Sequence, residues 1–283
     1  MASGGTRHAV HEGDARDLSF ISSESVHLIC TSPPYANLVE YPERPGQLGN
    51  LASYEMFLDE LDKVWAECLR VLVPGGRVAC VVGDVCVSRR KGGRHHVLPL
   101  PADIQVRARR LGFDNLTPIR WHKVANITLE ASRSARFLGK PNLPNGIVKN
   151  DMESILFLRK PGGYRKPTAE QEAESFIPTD TYMRWFTSVW HDVTGQIRDA
   201  HPAPYPPEIP GRLIRMFSFH GDTVLDPFAG TGTTAVAAFE CGRHSISIDL
   251  EPAYIDHIEA RLRAAGVVFD EVLVRRQQDP GHG

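Results

Sequence analysis

The chain has 283 residues, a formal net charge of −2 and 42% hydrophobic residues, which bounds it to one large domain or two small ones with ample material for a core. No apolar run approaches the roughly 18 residues of a membrane span, and the N-terminal MASGGTRHAV has no apolar signal region. Five cysteines without CxxC spacing (Cys30, Cys68, Cys80, Cys86 and Cys241) fit buried, reduced thiols in a cytoplasmic protein and give no reason to expect a metal.

Short apolar runs alternate with amphipathic stretches, which predicts an α/β sheet. SVHLICT (25–31) reads as a buried strand leading into TSPPY. Residues 53–72 read as a helix, with Phe57, Leu61, Val64, Trp65, Cys68, Leu69 and Leu72 at three/four spacing. PGG (74–76) is expected to stop it, and RVACVVGDV (77–85) to form the next strand. A basic loop follows at 88–99, then a helix over 101–113 and a strand over 116–123. Residues 124–150 are rich in Asn, Pro, Gly and Arg and predict no regular element; 153–160 is an apolar strand, and 161–190 reads as irregular. The last quarter is the most regular: a helix over 207–218, then strand, glycine loop and helix over 222–242, a strand over 245–250 and a helix over 252–266. From about residue 275 the tail is polar.

Charge is unevenly spread. Residues 86–150 hold 13 Lys and Arg against three acids, Asp103, Asp114 and Glu130. A basic segment on a near-neutral protein is the footprint expected of nucleic-acid contact, although a solvated loop with scattered arginines has the same composition.

Two loops carry chemistry. DPFAGTGTTA (226–235) follows a strand and opens a helix. Gly230 and Gly232 permit a tight turn and close backbone approach, and the helix N-terminus offers unpaired amides. Asp249 ends the next strand, where an acid can hold a ribose hydroxyl pair. This half of the sheet is therefore expected to bind an adenosine-containing ligand; Gly230–Ala235 also fits GxGxxA, which keeps a nicotinamide dehydrogenase as a rival. The other loop, TSPPY (31–35), has two prolines that remove two backbone donors and fix two φ angles, leaving stiff carbonyls free to accept hydrogen bonds beside an aromatic ring. Ligands of open parallel sheets bind outside the carboxyl ends of the strands, so both loops are expected in one crevice, though far apart in sequence.

With the tetrapeptide first and the glycine loop last, the chain resembles the amino-group DNA methyltransferases in their permuted, β-class arrangement. Further matches lie in GDARDL (13–18), NDMESILFLRK (150–160), HPAPYP (201–206) and SISIDLEPAYI (245–255). The resemblance implies one catalytic domain over 1–283: a doubly wound, mostly parallel, Rossmann-like α/β sheet. Its DNA-recognition insertions would be small, at 86–150 and 161–200, with 36–53 adding to recognition. It implies S-adenosylmethionine as cofactor. Asp14 and Ala15 would lie near the adenine, Asp249 and Leu250 at the ribose, and His201 and Pro202 near the methionine end. Thr31, Asp226, Phe228, Ala229, Gly230, Thr231, Gly232, Thr233 and Thr234 would complete that site. It implies Ser32, Pro33, Pro34 and Tyr35 as the catalytic group.

An exocyclic amine is a poor nucleophile because its lone pair is delocalised into the ring. The Ser32 hydroxyl and the Pro33 carbonyl would accept hydrogen bonds from its two protons as the nitrogen becomes more tetrahedral, and Tyr35 would stack on a base flipped out of duplex DNA. Arg89, Arg90, Lys91 and Arg94 would contact phosphates. Within the family Ser at position 32 goes mostly with cytosine N4, so DNA cytosine-N4 methylation is the expected activity. Adenine-N6 methylation is the alternative within the class, and a non-methylating adenosine-cofactor protein (a dehydrogenase or an inactive DNA-binding module) the alternative outside it. A carbon-5 cytosine enzyme would need a Pro-Cys nucleophile, which the sequence lacks. By resemblance, a homodimer and a cognate restriction endonuclease are further candidate partners.

Overall fold

The computed structural model describes residues 5–35, 44–89, 93–123, 144, 148, 150–195, 205–268 and 272–275. Its strands are β1 (His8–Glu12), β2 (Val26–Thr31), β3 (Leu72–Val82), β4 (Val85–Val87), β5 (His96–Leu98), β6 (Asp114–His122), β7 (Met152–Arg159), β8 (Val189–Trp190), β9 (Thr223–Asp226), β10 (His244–Asp249) and β11 (Val272–Arg275). Its helices are α1 (Tyr54–Val71), α2 (Leu100–Leu111), α3 (Ala169–Glu174), α4 (Thr179–Trp185), α5 (Glu208–Phe217), α6 (Thr233–Glu240) and α7 (Pro252–Ala264), with a 3-10 turn at Leu48–Asn50.

Among the described residues nine strands form one sheet in the order β11-β1-β10-β9-β2-β3-β7-β6-β8. From β11 to β3 every pairing is parallel; β7 runs antiparallel to both β3 and β6. The crossover through α1 carries the chain from β2 to β3 on one side. The crossover through α6 carries it from β9 to β10 on the other. Strands β2 and β9 are themselves parallel neighbours, with Leu28 opposite Val224 and Ile29 opposite Leu225. The winding therefore reverses between them, which opens a crevice at their carboxyl ends.

Alternation along the strands explains the two helical layers. Ile29, Val78, Cys80, Val82, Leu156 and Leu158 join one buried cluster with the α1 stripe of Phe57, Leu61, Val64, Trp65 and Cys68 and with Ile104 of α2. The intervening residues Leu28, Cys30, Ala79, Val81, Ile155 and Phe157 face a second cluster built on Ile209, Leu213 and Ile214 of α5. Cys30, Cys68 and Cys80 are buried and Cys86 and Cys241 partly so, all as free thiols. No helix among the described residues is long and apolar enough to cross a membrane.

The structure departs from the sequence reading in several places. The helix expected to stop at PGG ends at Val71, and β3, expected from residue 77, already begins at Leu72 and runs through PGG, where the amide of Gly75 donates to the Lys160 carbonyl at 3.0 Å and that of Lys160 to the Gly76 carbonyl at 2.9 Å. Strand β3 ends at Val82, and a two-stranded hairpin, β4 with β5, occupies part of the expected basic loop. Strands β1 and β11 were not expected from the sequence. Residues 161–190 form α3, α4 and β8. Part of this stretch is fastened at the amino end of β9, where Ser175 Oγ accepts from the His220 amide at 2.8 Å and Arg165 pairs with Asp222. That end of the sheet is opposite the crevice.

Candidate functional site

The two loops of the crevice are joined by a buried carboxylate. Asp226, the last residue of β9, is 2% exposed. Its Oδ1 accepts from Thr31 Oγ1 at 2.7 Å and from the Phe228 amide at 3.1 Å; its Oδ2 accepts from Thr234 Oγ1 at 2.6 Å and from the Tyr205 hydroxyl at 3.4 Å. Burial pushes the Asp226 carboxyl above its ordinary range, against the pull of these donors. Thr31, Asp226 and Thr234, expected on the cofactor, are thus buried and spend their polar atoms on one another. They set the position of the loops from behind.

The glycine loop is shaped by backbone and packing. Gly230 and Gly232 both have positive φ, 49° and 81°. A Cβ on Gly232 would lie 2.9 Å from a side-chain carbon of Ile258 in α7 and 3.2 Å from its Cα. Gly232 therefore permits α6 to approach α7, a reason distinct from the close ligand approach expected of it. Arg261 of α7 holds the loop from the same side, donating to the Thr231 carbonyl at 2.7 Å and to Thr233 Oγ1 at 3.2 Å. Ala229 is buried and its amide donates to Ile248 of β10.

Asp249 ends β10 beside this loop. Its Oδ2 accepts from the Gly230 amide at 2.8 Å and its Oδ1 from the Glu251 amide at 2.9 Å. The Gly230 amide, one of those expected to face a ligand, is thereby committed. A carboxylate has about four acceptor positions, so each oxygen of Asp249 retains one. Burial pushes its carboxyl up to about 6, the two amides pulling the other way.

Asp249 lines an open cleft with Asp14, Ala15, Ser32, Pro34, Phe228 and Leu250, all anticipated from the sequence. Gly13, Gly46, Gln47, Leu48, Pro227, Glu251 and Tyr254 complete the lining; none is singled out by the sequence, though Gly46, Gln47 and Leu48 lie in the 36–53 loop expected to add to recognition. The wall at 46–48 is the 3-10 turn and its approach. Arg44 brings it over the cleft by donating to both carboxylate oxygens of Glu251, at 2.8 and 3.0 Å. No pattern in 44–51 announces this, since the link depends on a glutamate about 200 residues away. Asp14 does not present a free carboxylate: Arg16 donates to it from its backbone amide and its guanidinium and also pairs with Glu60.

In the tetrapeptide, Ser32 and Pro34 are half-buried and face the cleft, while Pro33 is buried. Tyr35, expected to present its ring to a base, is 8% exposed and packed into the α1 cluster, its hydroxyl donating to Glu153 Oε1 at 3.3 Å. The β4–β5 hairpin extends beyond the carboxyl end of β3. Arg89 and Arg94 between its strands are exposed and make no ion pair among the described residues. Arg90, Lys91, His201 and Pro202 lie outside the described residues, as do most of 124–150 and part of 36–53.

Comparison with known proteins agrees with this arrangement. The type II methyltransferase M.MjaI of Methanocaldococcus jannaschii is 36% identical, across 96% of this chain and 97% of its own length. M.MthZI of Methanothermobacter thermautotrophicus, also a type II methyltransferase, is 33% identical across 97% and 81%. The crystal structure of a DNA modification methylase from Thermus thermophilus, complexed with S-adenosyl-L-methionine, is 47% identical and superposes with a TM-score of 0.79 over 97% of this chain and all of that one. The N6_N4_Mtase family model, described as DNA methylase, matches residues 26–260, a span that runs from β2 through the tetrapeptide and the glycine loop into α7. By the extent of that match and the order of its two loops, this chain belongs to the N6_N4_Mtase family of DNA methylases.

Proposed function

We propose that the protein is a type II DNA methyltransferase that moves a methyl group from S-adenosylmethionine to the exocyclic N4 amine of cytosine in duplex DNA. The observation that carries this reading is the junction of Ser32 and Pro34 with Asp249, Phe228 and Leu250 in one cleft. The residues fit the cofactor. Asp249 keeps acceptor capacity for two ribose hydroxyls, Phe228, Leu250 and Tyr254 give flat and apolar walls for the adenosine, and Asp14 lies at the adenine side. When bound, S-adenosylmethionine supplies an electrophilic methyl group on a sulfonium.

The chain's own part is to bind and orient. The Ser32 hydroxyl and the Pro33 carbonyl accept hydrogen bonds from the two amine N–H groups, drawing the nitrogen lone pair out of conjugation as it attacks; one of these protons passes to solvent once the methyl group is in place. Their rigidity, from the two prolines and from the Thr31–Asp226 bond, means little reorganisation is needed at the moment of reaction. The base leaves the helix stack to reach them, and Tyr35, buried in the α1 cluster, anchors the tetrapeptide. Arg89, Arg90, Lys91 and Arg94 hold phosphates. Of the expected recognition segments, 86–150 includes strand β5 of the hairpin that extends beyond the carboxyl end of β3, whereas 161–175 packs at the far end of the sheet.

Cytosine is chosen over adenine because Ser occupies position 32, where adenine enzymes of this family mostly carry Asp. Expression in a methylation-free host followed by nucleoside mass spectrometry tests this. N4-methylcytosine is expected; N6-methyladenine would overturn the base and leave the amine chemistry. Ser32→Ala is expected to bind cofactor normally while turnover falls, since the lost acceptor acts mainly in the transition state.

A further inference from the structure

The tetrapeptide is held from one more side. Glu153 is the second residue of β7, opposite Trp121 of β6. Its side chain is 15% exposed. Oε1 accepts from the Tyr35 hydroxyl at 3.3 Å and pairs with Lys123 Nζ. Lys123 in turn lies over the Trp121 ring, 5.0 Å from its centre, and the buried Trp121 donates its Nε1 to the Val193 carbonyl at 2.9 Å. Space for the Glu153 side chain is left by Gly83, just past β3, where a Cβ would come 3.2 Å from Glu153 Cγ.

We infer that Glu153 is a positioning residue for methyl transfer, its carboxylate, anchored by Lys123, fixing Tyr35 and with it the tetrapeptide that carries the amine acceptors. The inference rests on the reading of Ser32–Tyr35 as the amine-binding group. An ionised carboxylate only accepts hydrogen bonds, so the tyrosine hydroxyl must donate to it. A tyrosine in a buried place needs a partner for its hydroxyl, and this partner is set by a strand of the main sheet rather than by the loop itself. The ring is thereby referenced to the same framework that holds Ser32. The ion pair matters through geometry: Lys123 keeps Glu153 from turning toward solvent.

The test uses the full-length protein and five variants: Glu153→Ala, Glu153→Gln, Tyr35→Phe, the Glu153→Ala/Tyr35→Phe double variant, and Gly83→Ala. Single-turnover methylation of a duplex substrate, calorimetric S-adenosylmethionine binding and fluorescence of 2-aminopurine at the target position are measured. Cofactor affinity is expected to stay within about twofold of native in all five, while E153A and Y35F each slow methyl transfer by about 5–30-fold and blunt the fluorescence rise. Because both remove one contact, the double variant is expected to be no more than about threefold slower than the worse single. E153Q keeps an acceptor and is expected to recover to within about threefold of native; G83A, which displaces Glu153 by a few tenths of an ångström, falls between. Multiplicative losses in the double variant, or native transfer in E153A, would overturn the inference even if stability changed. A native protein that binds cofactor yet methylates no duplex would overturn the amine-binding reading and the inference with it.

Discussion

Asp249 accepts two backbone amides and still faces the cleft, and burial raises its carboxyl to about 6. Protonation removes acceptors that a ribose needs. Affinity for S-adenosylmethionine is therefore expected to fall as pH drops below about 6, by up to about tenfold per unit for a single proton, and calorimetry between pH 5 and 8 measures it. Asp249→Asn should flatten that dependence. The stability of the unliganded protein has the opposite sign. A carboxyl raised in the folded state favours folding below its unfolded value and loses that contribution as pH rises through about 6. Asp226 behaves differently, since nothing but protein donors surrounds it. Asp226→Ala leaves Thr31 Oγ1 and the Phe228 amide without this acceptor and removes one partner each from Thr234 and Tyr205, and is expected to destabilise the fold by about 1–3 kcal/mol in urea titrations. An acid after a strand suggests a ligand contact in both cases. Only the surroundings, which sequence does not display, separate the one that faces the cleft from the one that fastens two loops.

Helices α6 and α7 meet at Gly232, where added bulk would strike both a side chain and the backbone of Ile258. Gly232→Ala is expected to cost about 1–3 kcal/mol through overpacking and the unfavourable positive φ, read as a shift in the urea midpoint. The helices themselves were legible because α1, α5 and α7 bury stripes at three/four spacing and begin at Ser, Pro or Glu-Pro. The crevice was legible too, from two loops that each follow an apolar strand. Strand β1 was not, because HAVHE carries two histidines inward: His8 is 1% exposed, hydrogen-bonded to Ser245 Oγ at 2.8 Å, and burial lowers its pKa to about 4. A buried neutral histidine looks polar in a sequence and behaves as core in the fold. Helices α3 and α4 are not legible in the sequence because they are short and largely exposed; α3 is set by a Thr168–Gln171 capping box and by Gln171 donating to the His220 carbonyl.

Across the whole molecule, near-neutral net charge coexists with a sheet whose two ends differ. The described ends of the basic run, Arg89 and Arg94, are exposed beyond the carboxyl end, whereas Arg107 of the same stretch pairs with Asp59 and Asp62 of α1. Arg89→Ala and Arg94→Ala are each expected to weaken DNA binding alike on all sequences and to reduce the salt slope by about one unit. Arg107→Ala should leave that slope unchanged; fluorescence anisotropy at several salt concentrations separates the three. The bond from Thr31 to Asp226 has a further consequence, one that concerns time. Its partners are 195 residues apart, so at about 5–20 residues per second of synthesis the tetrapeptide emerges roughly 10–40 s before the carboxylate that fastens it. During that interval β2 can pair with β3 but not with β9, and neither the Thr31–Asp226 bond nor the acid that ends β10 exists. A growing chain still attached to its ribosome can therefore offer an exposed basic hairpin to nucleic acid, yet it has no means of modifying a base until β9 and β10 have been made.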